Sequence, residues 1–150
     1  MVTHRFFVSQ PLAAGGEVSL PSAAARQCFR VLKLRPGECV GLFDGTGLEA
    51  RVMLTTVSAD QVSGIVERCD TPPVEPPEPL EFVVGIPRQE KWEWILQKGT
   101  ELGVTCFQPL ETARCVARVA AGDWPKKAER WQKIILEAVE QSGRTRLPEL

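Results

Sequence analysis

The sequence lacks the residues and motifs on which common metal and hydrolase sites depend. His4 is its single histidine, and the five cysteines form no C-x-x-C pair. A Cys/His zinc site is therefore not expected, and a His-activated nucleophile would have to use a residue close to the N-terminus. The chain contains no G-x-G-x-x-G, P-loop, H-E-x-x-H or G-x-S-x-G motif. These absences remove the usual signatures of dinucleotide binding, triphosphate binding, zinc proteolysis and serine hydrolysis.

Long apolar runs and an excess of one charge are also missing. No stretch approaches the roughly 20 apolar residues that cross a bilayer, and residues 1–10 lack the apolar core of a signal peptide. The 18 basic and 19 acidic residues give a net charge of −1. We therefore expect a cytoplasmic protein with reduced thiols, without membrane or metal partners, and without a global attraction to nucleic acid.

One segment departs from this balance. Residues 26–35 read R-Q-C-F-R-V-L-K-L-R, with four basic residues and no acid. Phosphate contacts supply most non-specific affinity for nucleic acids, and a local basic stripe is the footprint that they require. The same pattern is equally typical of a solvated helix face. Both interpretations stay open on the sequence alone.

A proline-rich segment divides the chain. Residues 71–79 read T-P-P-V-E-P-P-E-P and contain five of the twelve prolines. Proline can neither donate to a β-ladder nor continue a helix, so this composition predicts an extended connector. We predict a first domain at 1–70, a linker at 71–79 and a second domain at 80–150.

Before the linker, the sequence predicts a small β-barrel with one helix. Four segments combine β-prone residues with flanking turn residues and are predicted strands: 5–8, 39–43, 48–57 and 61–68. A helix is predicted over 22–32. Its buried face is predicted to carry Ala24, Cys28, Val31 and Leu32.

After the linker, the pattern changes to strand–helix–strand–helix. The predicted elements are strands at 80–86 and 104–110, a helix at 88–102 and a helix that begins near Asp123 and ends at Gly143. The apolar run after Glu81 predicts a strand buried on both faces. The overall prediction is an α+β fold, in which a small β-barrel precedes the first βαβα part of an α/β domain. Two strands do not close such a sheet, so we expect the second domain to be incomplete.

Two short blocks in the second domain are candidates for chemistry. Residues 98–103 read K-G-T-E-L-G and residues 140–144 read E-Q-S-G-R. A glycine inside a helix costs about 1 kcal/mol, so Gly99 suggests a close approach of another part of the chain. The ordinary interpretations are an i,i+3 ion pair and solvated polar residues at a helix end.

The four tryptophans could pack or could stack on bases. Trp92 and Trp131 lie on predicted apolar faces, which favours the core. For Trp94 and Trp124 both possibilities are open.

Taken in order, these segments resemble a known family. The matching residues are 4–7 (HRFF), 30–34 (RVLKL), 36–37 (PG), 42–45 (LFDG), 97–104 (QKGTELGV), 130–131 (RW), 137–138 (EA), 140–144 (EQSGR) and Pro148. Each piece alone is weak, but the ordered set resembles the bacterial 16S ribosomal RNA uracil-N3 methyltransferases of the SPOUT, or trefoil-knot, class.

The resemblance implies a PUA-like RNA-binding barrel, followed by a knot domain that binds S-adenosylmethionine (SAM) and forms a homodimer. Its implied substrate is a uridine of 16S rRNA in the small ribosomal subunit. The residues expected to hold RNA are Arg5, Arg26, Arg30, Lys33 and Arg35. Those expected to line or brace the active-site side of the second domain are Lys98, Glu101, Arg114, Glu140, Gln141 and Arg144. No residue is assigned as the catalytic base.

Departures from the family pattern limit these expectations. The Gly-Pro-Glu-Gly-Gly loop and Leu-Arg-x-Glu-Thr-Ala segment that mark the family's SAM site are not present. We therefore expect no cofactor-binding residue in this chain, and an inactive chain that forms the N-terminal portion of an enzyme. Gly99 replaces a usual alanine, Arg88 a usual lysine and Cys115 a common serine. The alternatives are a non-catalytic PUA-like RNA-binding module and a structural protein whose basic stripe is only a solvated face.

Overall fold

The computed structural model describes residues 4–115 and 119–150. The chain divides into two compact units, Met1–Pro73 and Val74–Leu150. The predicted linker crosses this division, because residues 74–79 belong to the second unit. Among the described residues, no helix has the length and apolar character that crossing a bilayer requires.

The first unit is a five-stranded sheet that curls into a half-barrel. Its strands are β1 (Arg5–Phe7), β2 (Glu17–Ser19), β3 (Cys39–Phe43), β4 (Glu49–Val57) and β5 (Val62–Asp70). The order is β1-β3-β4-β5-β2, with β1 parallel to β3 and the other pairs antiparallel. The register between β4 and β5 shifts twice, and such bulges bend a sheet. The predicted mixed α+β fold is confirmed, although β2 was not foreseen.

Alternation along the strands builds the core of this unit. In β4, Ala50, Val52 and Leu54 are buried, whereas Met53 between them is exposed. Gly64 of β5 lies so close to its neighbour that a Cβ there would come within 2.5 Å of the Met53 carbonyl oxygen. Only glycine fits at this point of the paired strands.

The predicted helix of the first unit contains an irregular turn. Helix α1 (Ser22–Arg26) continues as one π-helical turn over Gln27–Val31. The Leu32 amide donates to the Gln27 carbonyl, five residues back, at 2.9 Å. Cys28 is buried, but Val31 is 71% exposed, so the prediction that Val31 belongs to the buried face is wrong. The wider turn rotates Val31 away from the positions that regular helical spacing assigns.

The second unit has the predicted βαβα order. Its elements are β6 (Glu81–Gly85), α2 (Gln89–Glu101), β7 (Cys106–Leu110) and α3 (Trp124–Ser142), with a 3₁₀ turn at Ala121–Asp123 before α3. Strands β6 and β7 are parallel. Glycines in the left-handed region follow both helices, Gly103 at φ 97° and Gly143 at φ 80°. Both helix ends therefore occur where the sequence predicts them.

Aromatic residues pack the two helices of this unit together. Trp92 of α2 and Trp131 of α3 are buried, with ring centroids 5.7 Å apart in an edge-to-face arrangement. Trp124 packs edge-to-face on Trp131 at 5.9 Å, whereas Trp94 is 61% exposed. The predicted core positions of Trp92 and Trp131 are thus confirmed.

Strand β6 is more exposed than predicted. Phe82 is 38% exposed and Val83 is 52% exposed. Within the described residues, β6 pairs only with β7, while β7 also pairs through Cys106 with Glu149. The expectation that this apolar strand is buried on both faces is wrong here, because burial of a parallel strand requires covering layers and neighbours on both sides.

Candidate functional site

A buried ion pair joins residues that lie far apart in the sequence. The guanidinium of Arg144 donates from Nη2 and Nε to Glu75 Oε2 at 2.7 and 3.0 Å. The side chains are 5% and 14% exposed. Glu75 lies in the predicted linker and was not foreseen as a functional or structural residue. Its position among five prolines carried no local signal of a partner 69 residues away.

The same arginine connects the two motif blocks. Arg144 Nη1 donates to the carbonyl oxygens of Thr100 and Val104 at 2.9 and 2.7 Å. The other carboxylate oxygen of Glu75 accepts the amides of Thr145 and Arg146 at 2.8 and 2.9 Å. The K-G-T-E-L-G block, the E-Q-S-G-R block and the proline-rich segment therefore meet at one buried polar cluster.

Hydrogen bonds keep the Glu75 carboxyl of this cluster ionised. Burial alone would raise the pKa of the Glu75 carboxyl, but the hydrogen bonds from Arg144 and the two backbone amides outweigh it and hold the pKa below its usual value. Glu75 is thus ionised at neutral pH. Removal of the Arg144 guanidinium would leave the Glu75 carboxylate partly buried without its charged partner.

Lys98 and Glu101 form the ordinary i,i+3 pair on the surface of α2. Their side chains are 2.8 Å apart and partly exposed, so the pair adds a few tenths of a kcal/mol to the helix. Gly99 between them does have a packing role. A Cβ at Gly99 would lie 2.7 Å from Cε1 of Phe107, which confirms the close approach inferred from the sequence.

Arg114 lies in a different place, a cleft of about 420 Å³ at the carboxyl ends of β6 and β7. The cleft is lined by Gly85, Ile86, Pro87, Arg88, Lys91, Thr112, Arg114 and Cys115. The ends of parallel strands are where ligands bind in open α/β sheets. Arg88, Lys91 and Thr112 are not among the site residues expected from the sequence. The sequence does contain a signal for two of them, because the basic residues Arg88 and Lys91 come shortly after the predicted strand at 80–86.

The Cys115 thiol holds the wall of this cleft in shape. Its Sγ accepts the Thr112 amide at 3.3 Å, lies 3.2 Å from the Thr112 hydroxyl and donates to the Leu110 carbonyl at 3.6 Å. Hydrogen bonds from the Thr112 side chain and backbone lower the pKa of this thiol. The turn that carries Arg114 is therefore tied to the end of β7.

The remaining predicted residues of the second unit are not brought together with Arg114. Gln141 lines a shallow groove on the α2–α3 surface, beside Trp94 and Glu93. Glu140 is half-buried on α3. The six predicted residues thus occupy several surroundings rather than one pocket.

The basic residues of the first unit are mostly accessible. Arg26, Arg30, Lys33 and Arg35 are exposed. Lys33 adopts a positive φ of 54°, and the Leu34 amide donates to the Cys28 carbonyl at 3.0 Å, which ends the helix. These residues can approach a large anionic partner.

Arg5 is the exception in this set. It donates from Nε to Glu49 at 2.7 Å, its guanidinium lies 5.2 Å from the centroid of the Phe43 ring, and its side chain is only 16% exposed. Among the described residues, no group of three or more His, Cys, Asp or Glu side chains could hold a metal ion.

Comparison with known proteins connects these features. A model of the RNA methyltransferase domain family matches residues 74–150, slightly more than half of the chain. The ribosomal RNA small subunit methyltransferase E of Bacillus subtilis is 34% identical over 147 residues, which cover 96% of this chain and 57% of that protein. The protein of the same name from Synechocystis is 33% identical over 150 residues, 99% of this chain and 47% of its own length. The chain thus spans about half the length of these curated relatives.

A solved structure shows the same fold. The ribosomal RNA small subunit methyltransferase E of Neisseria gonorrhoeae, whose crystal structure contains SAM, superposes with a TM-score of 0.88 at 34% identity. The match covers 98% of this chain and 60% of the Neisseria chain. The family resemblance drawn from the sequence motifs is confirmed, and this chain belongs to the RNA methyltransferase domain family.

Proposed function

We propose that the chain is the N-terminal portion of a SAM-dependent methyltransferase that modifies N3 of a uridine in 16S ribosomal RNA. The observation that carries this proposal is the extent of the similarity. It runs through both units, at 34% identity to the Bacillus protein over 96% of the chain. A match confined to one unit would support only a shared module.

The proposed reaction makes clear demands on the complete enzyme. SAM would supply an electrophilic methyl group from its sulfonium sulfur, and S-adenosylhomocysteine would leave as the S–CH3 bond breaks. The uridine N3 carries a proton at neutral pH, so this proton must leave to a base or to water as the new N–C bond forms. N3 also lies on the pairing edge of the base, so the uridine must be held unpaired. We assign neither the base nor the proton acceptor to a residue of this chain.

The cleft that contains Arg114 fits SAM poorly. The cleft at the ends of β6 and β7 is lined by Arg88, Lys91 and Arg114, and three cations would repel the sulfonium charge. We therefore assign no cofactor-binding residue here. Calorimetric titration of SAM into the 150-residue chain should give no measurable heat of binding. Micromolar binding would contradict the assignment of the cofactor site to residues outside this chain.

The first unit is proposed to hold the RNA. Arg26, Arg30, Lys33 and Arg35 are exposed within a stretch of ten residues without an acid. Contacts to phosphates from such a stripe would supply affinity without requiring a particular base sequence. Arg5 would contribute only if RNA displaced its pairing with Glu49.

In the second unit, several of the predicted site residues are proposed to stabilise the fold around the two motif blocks. Arg144 connects the two motif blocks from inside, and the Lys98–Glu101 pair lies on the surface of the first block. Glu140, Gln141 and Arg114 remain candidates for the active-site side of the complete domain. The resemblance further implies a cytoplasmic homodimer that acts on the small ribosomal subunit.

The methylation itself can be read by reverse transcription, because a methyl group on N3 blocks base pairing. In RNA from cells that lack the gene for this chain, reverse transcriptase should pass a uridine at which it stalls in wild-type RNA. An identical stall in both samples would contradict the proposal. If the stall is unchanged and the chain still binds RNA, the non-catalytic RNA-binding module is the better description.

A further inference from the structure

Among the described residues, those that line the cleft at the carboxyl ends of β6 and β7 include three cations and no acid. Arg88 immediately precedes α2, Lys91 lies in the first turn of α2, and Arg114 lies in the turn after β7. All three side chains are exposed. Within residues 4–115 and 119–150, none of them forms an ion pair. Two acidic residues lie close in sequence: Glu90, in the first turn of α2, lines the α2–α3 groove instead, and Glu111 interacts with Cys115 electrostatically.

Backbone donors add to the positive character of this cleft. Helix α2 has 13 residues, and no side chain caps its N-terminus at Arg88. Its first hydrogen bond to a helical carbonyl is donated by Trp92 to Arg88 at 3.1 Å, so the amides of the first turn have no helical acceptor. The positive end of the helix dipole therefore lies at the same place as the three cations.

The shape of the cleft is fixed by its own hydrogen bonds and packing. The Ile86 amide donates to the Leu110 carbonyl at 3.0 Å, which continues the pairing of β6 and β7 to the cleft. The Cys115 thiol bonds to Thr112 and Leu110, and a Cβ at Gly85 would already touch its Sγ at 3.4 Å. Arg114 is thus presented by a turn that is held to the sheet rather than by a free loop.

We propose that this cleft binds a phosphate group of the RNA backbone, as a second RNA-binding surface besides the basic stripe of the first unit. This inference rests on the proposed function for the identity of the ligand. Arginine guanidinium groups match phosphate oxygens with paired hydrogen bonds, and the helix N-terminus favours an anion. The cleft measures about 420 Å³ and is open, as a group carried on a long polymer requires.

Inorganic phosphate tests the cleft independently of RNA. In NMR titrations, millimolar phosphate should shift the amide resonances of residues 88–91 and 112–115, and the double variant R88Q/R114Q should lose these shifts. The matched control K126Q/K133Q removes two exposed cations of α3 outside the cleft and should keep them. Shifts that survive in R88Q/R114Q, or that disappear equally in the control, would overturn the proposal. The proposal would also be overturned if phosphate left these resonances unchanged and SAM, binding through its carboxylate, shifted them.

A labelled single-stranded RNA tests the second part. In fluorescence anisotropy, R88Q/R114Q should bind roughly five- to tenfold more weakly, and its log–log salt slope should fall by about 0.7 for each phosphate that is no longer neutralised. The control K126Q/K133Q should retain the wild-type slope. If wild-type protein binds phosphate in the cleft but no RNA, the proposed function fails and the anion site stands. If it binds RNA with the same slope in both variants, the role of the cleft in RNA binding fails and the proposed function stands.

Discussion

The two units stabilise their interiors in different ways. The core of the first unit consists of apolar side chains such as Leu42, Val52 and Leu54, and its basic residues other than Arg5 are at least partly exposed. The second unit buries Arg144 and places it against Glu75 and two backbone carbonyls. A charged residue of a family motif is therefore structural in the second unit, while similar residues in the first unit are exposed to solvent.

The exposed apolar side chains are arranged differently in the two units. In the first unit they are Phe29 and Val31 of the π-helical turn and Met53 of β4, whereas the second unit exposes neighbouring residues along one strand. Phe82, Val83 and Leu80 at strand β6 are between 38% and 52% exposed. The first unit keeps the apolar residues of its curled sheet mostly inside. The buried ion pair is therefore expected to contribute a larger share of stability in the second unit.

Arg144→Ala should destabilise the second unit by about 3–5 kcal/mol, because it leaves the Glu75 carboxylate buried without its partner. All four tryptophans lie in this unit and the chain has no tyrosine, so tryptophan fluorescence during denaturation reports on it selectively. Arg130→Ala is the matched control, since it breaks the more exposed pair with Glu93. The control should cost less than about 1 kcal/mol. Equal losses would show that burial does not set the contribution of the ion pair.

Leu54→Ala should destabilise the first unit by about 3 kcal/mol, because it removes a fully buried side chain from the apolar core. Far-UV circular dichroism should show an earlier transition, while the midpoint measured by tryptophan fluorescence stays unchanged. A shift of the fluorescence midpoint would mean that the two units unfold together and cannot be compared as separate entities.

Gly99→Ala should destabilise the second unit by about 1–2 kcal/mol. The gain in helix propensity is about 1 kcal/mol, but the new methyl group would lie 2.7 Å from the buried Phe107 ring. A second substitution, Phe107→Leu, should recover part of the loss in the double variant. If Gly99→Ala is stabilising, the ring can move aside and the glycine is not required by packing.

Acid should weaken the second unit more than the first. The folded-state pKa of Glu75 is lowered, so its contribution is complete above the unfolded value near 4.5 and is lost as the pH falls through the folded value. Tryptophan-detected denaturation between about pH 6 and pH 3 should show this loss. Glu75→Gln, which cannot titrate, should be less stable at neutral pH but should have a flatter pH dependence. A parallel decline in both proteins would exclude Glu75 as the cause.

Local signals in the sequence predicted much of the fold. The strand at Cys39–Phe43 and the helix ends at Gly103 and Gly143 follow from short patterns of apolar and turn residues. The positions that failed depend on other kinds of information. Val31 is exposed because of a π-helical turn that regular spacing cannot indicate, and β2 has only three residues.

The candidate site was less predictable because its interactions are long-range. Arg144 was identified through its motif, but its partner Glu75 lies 69 residues away in a segment that resembles a plain linker. The cationic cleft forms only when the parallel pairing of β6 and β7 brings Arg88 and Arg114 to one edge. Sequence spacing suggested chemistry at both motif blocks, whereas the structure gives their single arginine, Arg144, a buried structural role.

The most direct test of RNA binding by the first unit is the affinity of variants in its basic stripe. Charge reversal in R30E/K33E should weaken binding of a small-subunit RNA fragment and should lower the log–log salt slope by about 0.7 for each phosphate that is no longer neutralised. The single variants R30E and R68E form a matched pair, because Arg68 is an exposed arginine on β5 outside the stripe. We predict a clear loss of affinity for R30E and a small one for R68E. Unchanged affinity and slope in R30E/K33E would contradict the proposed RNA-binding role, since the stripe would then be only a solvated helix face.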